Sequence, residues 1–290
     1  MKVTRLILFG MMSIIISSCI NNEDPNKQTN QEIAQIDQYL QNLGVAEDVL
    51  YDNNYGFRFL VGQYGEYPPP HQGQKVTVHY IGRLFPSETV FDSGTKEGDL
   101  QEITPLVLGY SAQNLMTNSQ ARIYVPSKYG YGEEGNSTLG VPPNAILIYD
   151  VWVEKTERTA LEQSRFETDS TSIANYLEAN QISATYNPGG IWYTVTEPGT
   201  GDYPNVYNSI TCQYSLKLLS NPGTNIETGT LTQTNIFGLI DGFKVAMPLF
   251  NEGTKATFYI PSGLGYGPNG TSSVPANSNL IYDITLTTVH

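Results

Sequence analysis

Residues 124–132 read Tyr-Val-Pro-Ser-Lys-Tyr-Gly-Tyr-Gly, and residues 259–267 read Tyr-Ile-Pro-Ser-Gly-Leu-Gly-Tyr-Gly. In each copy an apolar run ends at a proline, which cannot donate to a β-ladder, and a glycine-rich turn then presents a tyrosine. A second apolar run containing Ile-Tyr-Asp follows at residues 147–151 and again at residues 280–284. The copies lie about 135 residues apart, whereas solenoid repeats have periods of roughly 20–50 residues. The chain is therefore a tandem duplication of one domain.

The length and composition of the chain fit two β-rich domains. At 290 residues it suits about two domains, each large enough to bury its own core. Its 20 tyrosines, 27 glycines and 17 prolines favour strands and turns over helices. A formal net charge of −13 argues against a nucleic-acid partner, because such binding needs clustered lysine and arginine residues. We interpret the acidity as a property that keeps a soluble protein monodisperse.

The N-terminus has the layout of an export signal followed by a tether. Residues 1–16 start basic and continue as an apolar run too short to span a bilayer alone, which predicts a signal peptide over residues 1–18. The Ile-Ser-Ser-Cys sequence at residues 16–19 resembles a bacterial lipobox, which implies that Cys19 is lipidated. An ordinary signal peptide with an incidental cysteine is the alternative. Residues 19–30 are polar and predict a lipid-anchored, flexible tether.

The second cysteine and the histidines do not indicate a nucleophilic or metal site. If Cys19 is lipidated, Cys212 is the only remaining thiol and no intramolecular disulfide can form. Cys212 lies in an alternating run, which predicts a buried small hydrophobe. The three histidines, His71, His79 and His290, are too few and too scattered to suggest a metal site. We expect no metal and no cofactor.

Periodicity places a leading helix before each copy of the domain. Residues 31–43 have helical spacing, and residues 173–180 repeat part of that pattern. Residues 75–82 and 210–216 alternate as half-buried strands do. Each domain is predicted to run helix, strand, strand, loop, short helix, strand, turn, strand. The predicted boundaries are domain 1 with its leading helix at 31–156, a helical connector at 157–180, and domain 2 at 181–290.

Four motifs of the first domain occur in a fixed order. They are residues 78–84 (Val-His-Tyr-Ile-Gly-Arg-Leu), residues 90–94 (Val-Phe-Asp-Ser-Gly), residues 131–132 (Tyr-Gly) and residues 141–151 (Val-Pro-Pro-Asn-Ala-Ile-Leu-Ile-Tyr-Asp-Val). Together they resemble the strand, bulge, flap and last strand of the FKBP-type peptidyl-prolyl cis-trans isomerases. The second domain resembles the family more weakly. The resemblance implies an α+β fold of two FKBP-like domains, each a twisted antiparallel β-sheet wrapped around a short helix, with a leading or connecting helix.

The resemblance also implies a hydrophobic prolyl pocket in each domain. Asp92 would lie at the rim of the first pocket, and the hydroxyl of Tyr131 would hold a substrate carbonyl. Leu106 and Val107 would supply main chain that binds the peptide, and Tyr110 would form the floor where the family has tryptophan. The implied catalytic residues are Tyr80, Phe91, Asp92, Tyr131 and Tyr149, and the implied substrate-binding residues are Leu106, Val107, Tyr110 and Val141 in domain 1 and Tyr214, Leu239, Ile240, Phe243, Tyr266, Val274 and Tyr282 in domain 2.

The two domains depart from the family pattern in different places. Domain 1 keeps Phe91 and Asp92, but the stretch that follows Tyr110 is shorter than its counterpart, which predicts a shortened pocket helix. Domain 2 has Ile226 and Glu227 where the Phe-Asp pair is expected, so it loses an aromatic wall and has a longer carboxylate. We therefore predict catalysis in domain 1 and a binding or structural copy in domain 2.

Rotation about a prolyl peptide bond needs neither a nucleophile nor a metal. The barrier is about 18–20 kcal/mol and arises from amide resonance, so a dry aromatic pocket that favours the twisted, less polar transition state suffices. The leading hypothesis is a peptidyl-prolyl cis-trans isomerase that assists the folding of exported proteins, anchored as an outer-membrane lipoprotein resembling those of Bacteroidetes-type envelopes. Its partners would be proline-containing, unfolded or extended polypeptides, and the membrane through the N-terminal lipid. The alternatives are a non-catalytic peptide-binding or chaperone lipoprotein and a structural component of an envelope assembly.

Overall fold

The structure is a computed structural model that describes residues 26–52, 54–65, 68–71 and 73–290. The helices and strands of the first half are α1 (Lys27–Leu43), β1 (Val49–Tyr51), β2 (Arg58–Gln63), β3 (Lys75–Leu84), β4 (Val90–Asp99), α2 (Leu106–Asn114), β5 (Ser119–Val125) and β6 (Leu147–Glu157). Those of the second half are α3 (Ala160–Ala179), β7 (Thr185–Asn187), β8 (Ile191–Glu197), β9 (Ser209–Leu218), β10 (Glu227–Asn235), α4 (Asp241–Ala246), β11 (Lys255–Ile260) and β12 (Leu280–Val289).

The two halves have the same sheet topology. The first sheet has the order β1-β2-β5-β6-β3-β4, and the second has the matching order β7-β8-β11-β12-β9-β10. All neighbouring strands in both sheets are antiparallel. Each half is thus a six-stranded antiparallel sheet that packs its apolar face on one short helix, α2 or α4. This confirms the predicted α+β architecture, with an antiparallel sheet packed on one short helix in each half.

The leading helices α1 and α3 pack on the opposite face of their sheets. Ile36 and Leu40 of α1 are fully buried against Tyr124 and Ile148 of the central strands β5 and β6. In the second half, Ile173 and Leu177 of α3 form the same kind of cluster with residues of β11 and β12. A capping box at Thr159 and Glu162 starts α3, which satisfies two backbone N–H groups that would otherwise lack partners. Each sheet is therefore covered by helices on both faces.

Several predicted elements differ from the observed ones. Helix α1 begins at Lys27, so the last residues of the predicted tether are helical. Strands β4 and β10 were absent from the predicted element order, because their exposed, polar sequences lack the apolar alternation of a half-buried strand. Helix α2 is not shortened: it has nine residues, whereas α4 has six and continues as a 3₁₀ turn at Met247–Leu249. The segment between α2 and β5 spans residues 115–118, and the segment between the 3₁₀ turn and β11 spans residues 250–254.

Cys212 lies in the core of domain 2, as its position in an alternating run predicted. Its side chain is fully buried, and burial raises the pKa of the thiol to about 12, so the thiolate does not form near neutral pH. Among the described residues, no helix is both long enough and apolar enough to cross a membrane. The predicted signal peptide and Cys19 lie outside the described part of the chain.

Candidate active site in two copies

Strand register brings the predicted catalytic residues of domain 1 together. On β3, Tyr80 pairs with a residue of β4 and with one of β6, and Gly82 pairs with Asp92 on one side and Tyr149 on the other. Residues two apart on a strand lie on the same face of the sheet, so Tyr80 and Gly82 share a face. Asp92 and Tyr149, which pair with Gly82, lie on that face as well. The rings of Tyr80 and Tyr149 have centroids 6.3 Å apart. The pocket wall is therefore built on three adjacent strands.

A glycine makes room for the aromatic wall. A Cβ atom at Gly82 would lie 2.5 Å from Cζ of Phe91, so the phenyl ring lies directly over the strand at that point. The ring of Phe91 meets Tyr149 edge to face at 5.8 Å and Tyr131 at 6.0 Å. Edge-to-face packing of this kind is a preferred aromatic geometry. Gly82 is not among the site residues predicted from the sequence, although a glycine inside an alternating strand often marks such a close approach.

Asp92 is hydrogen-bonded to the opposite wall of the pocket. The hydroxyl of Tyr80 donates to Oδ2 of Asp92 at 2.9 Å, and Oδ1 accepts the backbone N–H of Ser93 at 2.9 Å. Burial, followed by the hydrogen bond to Asp92, raises the pKa of Tyr80 to about 12. The Tyr80 hydroxyl therefore stays protonated and keeps donating throughout the physiological pH range.

Tyr131 lies in a turn that we call the hook, residues 126–132, with a counterpart at residues 261–267. Burial, together with the charge of Asp92, raises the pKa of Tyr131, and burial raises that of Tyr149 further. The hydroxyls of Tyr131 and Tyr149 interact, and Tyr149 is almost completely buried. The site thus presents neutral hydroxyl groups beside a single carboxylate.

The remaining predicted residues of domain 1 lie on or beside α2. Leu106 is the first residue of α2 and is half exposed, whereas Val107 and Val141 are buried. Tyr110 points to a different cluster: its ring centroid is 4.7 Å from that of Tyr55, and its hydroxyl donates to Asp52 at 3.0 Å. These contacts place Tyr110 beside the segment that joins β1 to β2 rather than with the rings of the pocket wall.

Domain 2 repeats the tyrosine–carboxylate bond with a different acid. The hydroxyl of Tyr214 donates to Oε1 of Glu227, and the two residues occupy the register positions that Tyr80 and Asp92 have in domain 1. That bond, followed by burial, raises the pKa of Tyr214 to about 12. The register confirms that Glu227 stands in the place of Asp92, and the longer carboxylate does reach the tyrosine.

The aromatic wall of domain 2 is replaced by aliphatic side chains. Leu216 takes the register position of Gly82, between Glu227 and Tyr282, and is fully buried. Its side chain occupies the space over the strand that Phe91 fills in domain 1, and Ile226 packs against the same core. The two changes are sterically coupled, because the ring of Phe91 fits only beside a residue without a Cβ atom.

The floor of domain 2 is aromatic. Phe243 of α4 meets Tyr282 edge to face at 4.9 Å, so it has the position expected of the family's floor residue. The hydroxyl groups of Tyr266 and Tyr282 are 3.0 Å apart and hydrogen-bonded. Val274 is buried beside them, and Leu239 and Ile240 are partly buried at the start of α4. Domain 2 therefore has a closed floor and lacks one wall, whereas domain 1 has the wall.

The chemistry of these sites is binding and orientation rather than bond cleavage. Each pocket combines apolar ring faces with hydroxyl groups whose raised pKa values keep them neutral. No group of three or more His, Cys, Asp or Glu side chains in the described residues could hold a metal ion. Such a pocket suits an apolar ring attached to a peptide carbonyl. The class of protein that it indicates is one that binds proline-containing peptides, which includes the rotamases.

Comparison with known proteins agrees with this class. The profile of the family described as FKBP-type peptidyl-prolyl cis-trans isomerase matches residues 67–154 and 201–287, which is more than half of the chain. The chain therefore belongs to the FKBP-type peptidyl-prolyl cis-trans isomerase family and contains two such domains.

The relatives are distant. The FKBP-type peptidyl-prolyl cis-trans isomerase FkpA of Aeromonas hydrophila is 25% identical over 161 residues, covering 54% of this chain and 60% of that protein. A probable FKBP-type peptidyl-prolyl cis-trans isomerase of Haemophilus influenzae is 24% identical over 217 residues, covering 70% of this chain and 88% of that protein. The crystal structure of the three FKBP domains of wheat FKBP73 aligns with 21% identity and a TM-score of 0.34, covering 82% of this chain and 96% of that one.

Proposed function

We propose that the chain catalyses cis-trans isomerisation of X-Pro peptide bonds and that domain 1 carries the activity. The observation that supports this most directly is the enclosed wall of domain 1, where Phe91 lies edge to face with both Tyr131 and Tyr149 and Asp92 accepts the hydroxyl of Tyr80. This arrangement offers ring faces to a proline side chain and a fixed donor to the carbonyl that precedes it. Domain 2 lacks the phenyl ring at the equivalent place.

The proposed mechanism is stabilisation of a twisted amide. Rotation removes amide resonance and makes the bond less polar, so a pocket with little water favours the twisted state over the planar one. Tyr131 would donate to the substrate carbonyl in the twisted geometry, and Asp92 would keep the ring of Tyr80 fixed as the opposite wall. Because no bond is broken, no proton has to leave the enzyme during turnover.

The test is two-dimensional exchange NMR on an X-Pro peptide with the full chain and two matched variants. Tyr131→Ala and Tyr266→Ala remove the same residue from the two hooks, so each serves as the control for the other. We expect Tyr131→Ala to abolish most of the acceleration and Tyr266→Ala to leave most of it. Acceleration that is insensitive to Tyr131→Ala, or absent from the parent chain, would overturn the assignment.

For domain 2 we propose a peptide-binding role without efficient turnover. Its aromatic floor and its Tyr214–Glu227 bond support binding, and the replacement of the phenyl wall by Leu216 and Ile226 argues against catalysis. Chemical-shift changes at domain 2 residues on adding a proline peptide, in a chain inactivated by Tyr131→Ala, are expected without exchange broadening. Absence of shifts would leave domain 2 a structural copy.

We further propose that the chain is a lipoprotein of the cell envelope, in the outer membrane, and assists the folding of exported proteins. The support is the basic start, short apolar run and lipobox-like residues 16–19 of the sequence. Cys19→Ser is expected to abolish labelling by a radioactive fatty acid and to move the protein out of the membrane fraction. Unchanged labelling of the Cys19→Ser chain would refute the lipid anchor.

A further inference from the structure

Each hook contains a serine, Ser127 or Ser262, whose hydrogen bonds position the tyrosine of that hook; we call this serine the hub. In the first hook the carbonyl of Ser127 accepts the backbone N–H groups of Gly130 and Gly132, each at 2.9 Å. These two glycines are the neighbours of Tyr131 in the chain, so the serine carbonyl clamps the backbone on both sides of the tyrosine. The second hook repeats the pattern, with Gly265 and Gly267 donating to the carbonyl of Ser262 at 3.0 and 2.9 Å.

A buried carboxylate from the leading helix holds the serine of the first hook. Glu32 of α1 is only 5% exposed. Its Oε2 accepts the backbone N–H of Ser127 at 2.7 Å, and its Oε1 accepts the hydroxyl of the same serine at 2.7 Å. Gln28 donates a third hydrogen bond to Oε1 at 3.0 Å. The carboxylate thus fixes Ser127 through two donors, and charge-assisted bonds of this kind are among the stronger ones in proteins.

The second domain has the same contact with a shorter acid. Asp169 of α3 is 3% exposed, and its Oδ2 accepts both the backbone N–H and the hydroxyl of Ser262. Glu32 and Asp169 stand at equivalent places, because each lies four residues before the buried isoleucine of its helix, Ile36 or Ile173. The contact is therefore a feature of the duplicated unit and is independent of the length of the side chain.

Packing alone does not account for these two acids. The other buried positions of the leading helices are aliphatic, and burying a carboxylate costs free energy unless hydrogen bonds compensate for the lost water. A carboxylate at this place can do what an aliphatic side chain cannot: it fixes both the backbone and the side-chain rotation of the hub serine. A chain of contacts then runs from the helix to Ser127, to the two flanking glycines, and to Tyr131.

We propose that Glu32 is a positioning residue for prolyl isomerisation in domain 1, and that Asp169 has the same role for the hook of domain 2. The leading helices are then parts of the two sites rather than spacers. This inference rests on the proposed function of the Tyr131 hydroxyl as the group that orients the substrate carbonyl. Glu32 acts through the hook and does not contact the substrate.

The kinetic test uses the full chain with Glu32→Ala, Glu32→Gln and, as a control, Gln35→Ala on the exposed face of the same helix. Loss of both bonds to Ser127 should lower kcat about 5- to 20-fold and leave KM within about twofold, because a misplaced donor fails in the transition state rather than in the ground state. Glu32→Gln should restore part of kcat, since its amide oxygen still accepts the Ser127 N–H. Gln35→Ala should match the parent chain. A loss confined to KM would overturn the proposal.

A double-variant cycle separates positioning from a general structural effect. In a chain that already carries Tyr131→Ala, adding Glu32→Ala should cause no further loss, because the hook no longer has a group to misplace. An additional loss equal to that seen in the parent chain would overturn the proposal. If Glu32→Ala proves to be unfolded by circular dichroism, Glu32→Gln and Ser127→Ala replace it in the same cycle.

Amide hydrogen exchange reports on the hook without any substrate. Glu32→Ala should speed exchange at Gly130 and Gly132 and leave the core amides of β5 and β6 unchanged. Unchanged exchange at both glycines would refute the positioning role. If the parent chain shows no isomerase activity but this local change is observed, the proposed function fails while the control of the hook by Glu32 stands.

Discussion

Substitution of Asp92 tests the contribution of its two hydrogen bonds to the pocket of domain 1. Its carboxylate accepts the Tyr80 hydroxyl through one oxygen and the Ser93 backbone N–H through the other. Asp92→Leu removes both acceptors with a side chain of similar shape. Asp92→Asn keeps one acceptor oxygen and removes the charge, so it should give an intermediate effect.

The magnitude follows from the burial of Tyr80, which is 7% exposed. Leaving a buried hydroxyl without its partner costs about 1–3 kcal/mol, and a hydrogen bond to a charged group contributes about 1.5–3 kcal/mol. The Tyr80 ring is one wall of the pocket, so its displacement weakens contacts with the twisted substrate. Since each 1.36 kcal/mol of activation free energy is a factor of ten in rate, we expect Asp92→Leu to lower kcat/KM roughly 10- to 100-fold. Asp92→Asn should lower it roughly 3- to 10-fold.

Exchange NMR on an X-Pro peptide is the appropriate assay, because uncatalysed isomerisation takes tens of seconds and acceleration is easy to detect. The matched control is Glu227→Leu, which breaks the equivalent bond to Tyr214 in domain 2. Thermal unfolding of each variant is the control for whether the domains remain folded at the assay temperature. An Asp92→Leu chain within twofold of the parent, or an equal loss from Glu227→Leu, would show that this reasoning is wrong.

Three further outcomes are expected. The first uses a chain whose first domain is inactivated. In that chain the triple substitution Leu216→Gly, Ile226→Phe and Glu227→Asp should raise the residual activity measured by exchange NMR. Ile226→Phe alone should not raise it, because Leu216 occupies the space that the ring needs. The activity of domain 1 should be flat between pH 6 and 9, since the pKa of Tyr80 is about 12; a fall over that range would contradict the assignment of neutral hydroxyls. Burial alone would raise the pKa of Asp150, but hydrogen bonds from Arg122 and Arg83 bring it below its usual range, so Asp150→Asn should lower the free energy of unfolding at pH 7 by roughly 1–2 kcal/mol. That difference should disappear as the pH falls below about 4 in acid-dependent denaturant titrations, because a carboxyl with a lowered folded pKa stabilises only while it is ionised.

The fold could be predicted from the sequence because its decisive features are local and repeated. The two hooks and the Ile-Tyr-Asp runs that follow them identify β5, β6, β11 and β12, the central strands of both sheets. The alternation at residues 75–82 identifies β3, whose register then places Tyr80 beside Tyr149 and Asp92. The resemblance to the family named these side chains, and the pairing of the strands explains why they lie together.

Features that depend on direction or on contacts between distant segments could not be predicted in this way. The ring of Tyr110 on α2 packs against Tyr55, whereas the ring of Phe243 on α4 packs against Tyr282. This difference depends on the direction in which each ring leaves its helix, which the spacing of residues in the sequence does not give. The role of Glu32, whose carboxylate binds Ser127, could not be predicted from the sequence for a different reason. In a helix its sequence context resembles that of any exposed acid, and only the contact with the distant hook explains its burial.

One difference between the two copies involves sterically coupled positions in the pocket wall. The hub is the same in both domains, and so are the sheet order and the tyrosine–acid bond. Position 82 and position 91 change together, because a leucine at the place of Gly82 excludes a phenyl ring at the place of Phe91. Domain 2 has therefore repacked one wall as a unit while it kept the aromatic floor and the positioned hook. The difference in domain 2 thus lies in one wall of the pocket, whereas the contact between a helix carboxylate and the serine of the hook is present in both halves.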